Sequence, residues 1–270
     1  MLSYLEILRP QNGVIGIFAV IVGAMLVGFN NYFFIALACL SVFIILSAGN
    51  VINDYFDYEI DKINKKNRPI PSGRIKRNSA LYYSIALFLI GIALAFYLNF
   101  NNFILALINS GLLILYSYKL KGQPLIGNVI VSWLVGSTFI FGSLLGSGLS
   151  VTVLLIFTMA FFANLGRELA KSIEDMEADR KLKLKTLPIV AGKSFTTLLL
   201  IISLLFAVLI SFVPYMLNFF GLPYLLVVVI ADIIFLVSGF MVFMAPKKSQ
   251  NLMKIGMIIS IIAFLVGVIV

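Results

Sequence analysis

The chain has 270 residues, of which 61% are hydrophobic and 11% charged, with a net charge of +9. A soluble domain is about half apolar and about a quarter charged, so this composition excludes an ordinary soluble enzyme, a disordered chain and a disulfide scaffold, and points to an integral membrane protein. The positive charge reads as membrane topology and contact with anionic headgroups, with no nucleic-acid partner implied.

In chain order, apolar runs between polar breaks give nine candidate spans at 14–29, 33–52, 81–98, 103–118, 125–145, 151–169, 195–213, 222–245 and 252–270. The runs are continuous and lack period-two alternation, so they are helices rather than barrel strands. The first is expected to be a span and not a cleaved leader, since only Arg9 precedes it and no small-residue cleavage site follows. Nine spans of about 20 residues leave no room for a soluble domain, so residues 1–270 read as a single transmembrane domain. The basic residues fall at Arg9, in 62–77, at Lys119 and Lys121, in 167–193 and in 247–254, which nine spans put on one face. The opposite loops, 30–31, 99–102, 146–150 and 214–221, carry no charge. The positive-inside rule makes the charged face cytoplasmic, with the N-terminus inside and the C-terminus outside.

Nine of the eleven acids sit in two clusters. After the second span, Asn50, Asp54, Asp57 and Asp61 lie within about 60° of one another on a helix, with Asn53 at the edge and Glu59 pointing away. After the sixth span, Glu168, Asp175 and Asp179 lie within about 40°, with Ser172 beside them. The clusters match at an offset of 118 residues (Asn50 to Glu168). Four spans separate them, so both helices point the same way, as in a parallel internal repeat of helices 1–4 and 5–8. Acids at a helix C-terminus oppose the macrodipole, and like charges at i,i+4 add to the penalty. A divalent cation reverses both effects. Histidine is absent and Cys39 is alone, so the ion is a hard one held by oxygen. Mg²⁺ takes one or two carboxylates and completes its shell with water and substrate phosphate, so facing clusters suit a bridged diphosphate. Arg68, Lys119 and Arg180 offer counter-charge for a departing diphosphate, with Arg68 fixed by the turn Arg68-Pro69-Ile70-Pro71-Ser72-Gly73. No P-loop is present, which argues against a nucleotide triphosphatase.

Asn53-Asp54-x-x-Asp57-x-x-x-Asp61 followed by Asn67-Arg68-Pro69-Ile70-Pro71-Ser72-Gly73 resembles the first signature of the UbiA superfamily of intramembrane prenyltransferases. Asp175-x-x-x-Asp179-Arg180 followed by Lys185-Thr186-Leu187-Pro188 resembles the second. Tyr116-Ser117-x-Lys119, Gly127-Asn128 and Arg9-Pro10-Gln11-Asn12 match as well, so the resemblance covers essentially the whole chain. Ser172 departs from the pattern, since many relatives have Asp there.

The resemblance implies an all-α bundle of nine transmembrane helices around a central cavity and an Mg²⁺-bound prenyl diphosphate at its cytoplasmic mouth. The implied metal ligands are Asn50, Asn53, Asp54, Asp57, Asp61, Glu168, Asp175 and Asp179. Asp54, Asp57, Asp61, Asp175, Asp179, Arg68 and Lys119 form the expected catalytic set. Asn50, Asn53, Arg68, Tyr116, Lys119, Asn128, Arg180, Lys185, Arg9 and Asn12 are expected to bind substrate. Among the family's acceptors, the compact chain, its Arg9-Pro10-Gln11-Asn12 opening and its lysine-rich loops favour geranylgeranylglyceryl phosphate, prenylated from geranylgeranyl diphosphate in archaeal lipid synthesis. A hydroxybenzoate or quinone precursor is the alternative acceptor, and a cation transporter the distant alternative. The expected location is a cell membrane, with no obligate protein partner. Asp232, deep in the eighth span, is a functional candidate by position, and the blander expectation is a hydrogen bond to a neighbouring helix.

Overall fold

The computed structural model describes residues 2–269, apart from the side chains of Asn12, Ile63 and Asn64. Its helices are α1 (Leu2–Glu6), α2 (Pro10–Leu26), α3 (Tyr32–Phe56), α4 (Tyr58–Asn64), α5 (Arg77–Leu98), α6 (Phe100–Tyr118), α7 (Ile126–Ser143), α8 (Val151–Lys181), α9 (Leu187–Val190), α10 (Lys193–Ser211), α11 (Val213–Met216), α12 (Leu222–Met241) and α13 (Pro246–Ile269). Among the described residues there is no strand. Eight helices are long and apolar enough to cross a membrane, while the apolar part of α2, Gly13–Leu26, is shorter.

Local chemistry explains several helix starts. The expected uncharged loops supply caps: Asn31 accepts from the Phe34 amide, Asn99 from that of Asn102 and Ser150 from that of Val153. Pro10 and Pro246 open α2 and α13, where a missing N–H costs nothing. At about 1.5 Å per residue the 31 residues of α8 span about 46 Å. That exceeds a hydrocarbon core of about 30 Å, so the charged end of α8 projects beyond it.

The long helices form a closed ring. α2 packs on α3, α3 on α5 and α6, α6 on α7, α7 on α8, α8 on α10, α10 on α12, and α12 on α13, which returns to α2. Two apolar clusters lie on either half of this ring and a third, with Val22, Phe139, Ile156, Tyr224 and Phe264, joins them. A fourth, Ile7, Val51, Ile70, Ile75 and Ala80, fastens the N-terminal segment and the 68–77 turn to α3.

At the α2–α7 crossing the two helices meet backbone to backbone. A Cβ on Gly23 would fall 2.0 Å from the Phe139 carbonyl oxygen, and one on Gly142 would fall 2.0 Å from that of Val20. The obstacle is backbone, so the helices must part. Gly23→Ala or Gly142→Ala is expected to cost at least about 1–3 kcal/mol by overpacking, read as a lowered Tm in detergent. An unchanged Tm for both would show that the helices separate freely.

Candidate active site

A cavity of about 560 Å³ opens among the ring helices. Of the expected residues, Arg9, Asn50, Asn53, Asp57, Arg68, Tyr116 and Glu168 line it. They arrive from the start of α2, the end of α3, the turn after α4, the end of α6 and the middle of α8. The two acidic helices thus contribute to one chamber.

The first stripe is buried and tied to arginines. Asp54 and Asp61 are each 2% exposed. Asp54 accepts from Arg9 and, at 3.0 Å, from Arg68, whose Nη1 also donates to Asp61. The expected fixed pose of Arg68 follows from the turn's own bonds: the Ser72 amide to the Arg68 carbonyl and the Ile75 amide to that of Pro69, both 3.0 Å. Gly73 takes a positive φ of 76° in this turn, where a side chain would be strained. Asp57 accepts from Asn53 Nδ2 at 2.9 Å and from Lys121. Asn50 donates to the Leu8 carbonyl at 2.8 Å, so the Arg9-Pro10 opening is held against α3 twice. Outside, Arg74 donates to both carboxylate oxygens of Glu6, and this hydrogen bonding holds the Glu6 carboxyl below its usual range. Burial lowers the Lys65 ammonium from its ordinary value, and the nearby Arg68 guanidinium adds to that.

On α8, Glu168 is 6% exposed and accepts from Arg167 Nη1 at 2.9 Å, with Lys171 Nζ at 3.8 Å. Asp175 and Asp179 share its stripe but do not line the cavity. They lie about 10 and 16 Å farther along the axis at about 1.5 Å per residue, on the end of α8 that projects. Angular position put the three acids together, and axial distance parts them. Arg180 and Lys185 are exposed and also outside the lining. Asn128 instead donates to Ser172 at 2.9 Å, tying α7 to α8. The side chain of Asn12 lies outside the described residues.

Lys119 corrects the sequence expectation. It is exposed and outside the cavity lining, and Lys121 takes the place at Asp57. The helix ends at Tyr118 and a single 3₁₀ turn, Leu120–Gly122, redirects the chain. Lys65, from the basic 62–77 segment, also lines the cavity, and Arg167, Lys171 and Lys254 are further lining residues that the sequence expectation missed. Arg167 had a signal, a charge inside the apolar run of α8. Lys254 had none beyond lying in the basic segment that opens α13.

Asp232 accepts from Ser211 of α10 at 2.7 Å, the hydrogen bond to a neighbouring helix expected of it, and it also lines the cavity. Leu46, Leu113, Val135, Met159, Phe235 and Phe264 make much of the remaining wall.

The donors fit a hard ion. Asn50, Asn53, Asp57 and Glu168 present oxygen to one cavity. Among the described residues no three Asp, Glu or Cys side chains form a ready cage; Mg²⁺ in general takes one or two carboxylates and completes its shell with water and phosphate.

Residues 16–262 match the UbiA prenyltransferase family. The chain belongs to that family. The digeranylgeranylglyceryl phosphate synthase of Methanosphaera stadtmanae is 41% identical over 272 residues, covering 99% of each chain. A solved structure of a digeranylgeranylglyceryl phosphate synthase superposes with a TM-score of 0.84 at 36% identity, covering 99% of this chain and 98% of that one. A UbiA homologue from Archaeoglobus fulgidus bound to GPP and Mg²⁺ shares the fold, with a TM-score of 0.77 at 20% identity over 99% of this chain and all of that one (100%). The family makes this chain a membrane prenyltransferase.

Proposed function

We propose that the chain transfers a geranylgeranyl group from geranylgeranyl diphosphate to the free hydroxyl of geranylgeranylglyceryl phosphate, with Mg²⁺, at the cytoplasmic face of a cell membrane. One observation carries this reading: a single cavity joins the polar segments of α3 and α8 to an apolar wall. The polar part suits a diphosphate and the wall suits a prenyl tail. The 41% identity with a relative named for this product supports the acceptor. The GPP and Mg²⁺ held by the Archaeoglobus fulgidus homologue support the donor class.

Asn50, Asn53, Asp57 and Glu168 would hold Mg²⁺, with Asp54, Asp61, Asp175 and Asp179 adding negative charge from the same helices. The ion would supply positive charge to the departing diphosphate. Arg68, Lys65 and Lys121 bind and orient the diphosphate from the α3 side. The allylic C–O bond breaks with positive charge developing at C1, the acceptor hydroxyl attacks that carbon, and diphosphate leaves, taking up the proton that the hydroxyl gives up. The apolar wall holds the tail and excludes water, which would otherwise capture the cation as prenol. With α2 as a ninth crossing beside the eight longer helices, the charged face is cytoplasmic by its lysine and arginine bias, the N-terminus inside and the C-terminus outside.

The test is an assay of the purified chain with labelled geranylgeranyl diphosphate, Mg²⁺ and a panel of acceptors. Product is expected with geranylgeranylglyceryl phosphate. Product with hydroxybenzoate alone would assign an aromatic acceptor, and cation flux in liposomes without any prenyl transfer would overturn the enzyme reading.

A further inference from the structure

The basic lining of the cavity comes in two sets from different helices. Arg9, Lys65, Arg68 and Lys121 gather on the α3 side, where Asp54, Asp57 and Asp61 pair with them. Arg167 and Lys171 of α8 and Lys254 of α13 form the second set, with Glu168 beside them. Glu168 takes Arg167 Nη1 at 2.9 Å and Lys171 Nζ at 3.8 Å. Among these lining residues one carboxylate offsets one of three cations, so this wall keeps a surplus of about two positive charges, with Lys171 and Lys254 reaching solvent at the mouth.

Arg167 carries the second observation. Its Nη1 is engaged with Glu168 and, at 3.5 Å, with Asn164 Oδ1. Its Nε is buried and has no hydrogen-bond partner among the described residues. A guanidinium is a planar fork whose N–H groups match two oxygens of one phosphate. The protein thus leaves one donor of this guanidinium unsatisfied, on a side chain that is 17% exposed and lines the cavity; Nε itself is covered, so a phosphate oxygen reaches it on a turn of the side chain.

We propose that Arg167, Lys171 and Lys254 form a subsite for a lipid phosphate monoester, distinct from the diphosphate counter-charges on the α3 side. On the functional reading above, to which this inference is tied, that monoester is the headgroup of the acceptor. A phosphate monoester carries about −1.5 to −2 near neutral pH, which matches the surplus on this wall. Two sets of cations then serve two anionic substrates, and the second set selects a phosphorylated acceptor over one lacking the phosphate.

The test compares Arg167→Gln and Lys254→Gln with the unmodified full chain. Direct binding of geranylgeranylglyceryl phosphate and of geranylgeranylglycerol, the same lipid without its phosphate, is measured without donor or Mg²⁺, and the KM for geranylgeranyl diphosphate is measured separately. Each variant is expected to bind the phosphorylated lipid at least about tenfold more weakly, the scale of one charge-assisted hydrogen bond. Binding of the unphosphorylated lipid should stay within about twofold in both variants, and the KM for geranylgeranyl diphosphate within about twofold in Lys254→Gln, whose residue does not pair with the proposed Mg²⁺ ligand Glu168. Lys254 is exposed, so its substitution leaves the fold intact, and Arg167→Lys should recover part of the loss. Unmodified protein that binds both lipids equally would overturn the subsite. A rise in the KM for the donor in place of the acceptor effect would do the same, by giving the cluster to the diphosphate. A chain that binds the phosphorylated lipid through these residues yet does not prenylate it would overturn the functional reading and leave the subsite standing.

Discussion

Asp57→Asn is expected to lower turnover of geranylgeranyl diphosphate by at least about 100-fold, the scale of losing a key electrostatic partner, while leaving Tm nearly unchanged. Asp57 is the carboxylate of the first stripe that lines the cavity, and it sits where α3 gives way to α4. Its Oδ2 is shared by Asn53 and Lys121. The substitution keeps size and shape and removes one negative charge, so the packing survives. Lys121 loses its partner, but its side chain is 39% exposed and can be rehydrated, so stability should change by less than about 1 kcal/mol. Activity falls because the oxygen donor set loses a formal charge where the diphosphate must be neutralised. Glu59→Ala is the control: Glu59 points out, 71% exposed, beside Lys62, and should keep full activity. Asp57→Asn retaining activity within about threefold would remove this residue from the site, because no electrostatic role of that size would remain to it.

Sequence patterns reported some things and were blind to others, for physical reasons visible at particular residues. Hydropathy marks where hydrocarbon ends, not where a helix ends. The expected sixth span stops at residue 169, yet α8 runs on to Lys181 through a stretch whose backbone bonds need no lipid. In the other direction, the run at 14–29 overshoots a helix that stops at Leu26, where Gly28 takes a positive φ of 67°. The acidic stripes were legible because helical geometry fixes angle from spacing. Their partners were not. Arg9 reaches Asp54 across 45 residues and Arg68 across 14, distances that only the folded 68–77 turn and the α2 start make short. The exchange of Lys119 for Lys121 turns on a single 3₁₀ turn, and no propensity distinguishes two lysines separated by one leucine. The axial depth of Asp175 relative to Glu168 was implicit in their seven-residue separation, but it acquires meaning only once the cavity mouth is located.

Arg68→Met should be the most destabilising substitution on the α3 side, by about 3–5 kcal/mol, the usual cost of removing one partner from a buried ion pair. Arg68 Nη1 is shared by Asp54 and Asp61, two carboxylates with side chains only 3% exposed. The two acids do not suffer equally. Asp54 retains Arg9, whereas Asp61 is left with Lys65, 4.0 Å away on a side chain that is 56% exposed. The penalty therefore resides mainly in Asp61, and neutralising it should recover stability. In a double-mutant cycle, Arg68→Met with Asp61→Asn is expected to be more stable than Arg68→Met alone by more than about 1 kcal/mol, a coupling typical of residues in direct contact. Arg68→Lys should rescue little, because an ammonium on a flexible stem cannot span both acids as a guanidinium does. Thermal unfolding in detergent reads the four proteins of the cycle and Arg68→Lys. A Tm for Arg68→Met within about 2 °C of the unmodified chain, less than a 1 kcal/mol change would produce, would mean that water or another cation reaches Asp61 and that the burial of this pair carries no stability. A substantial loss recovered by Asp61→Asn would establish that the arginine is structural before it is catalytic. It would then hold two buried acids in place at the same helix end where Asp57 lines the cavity.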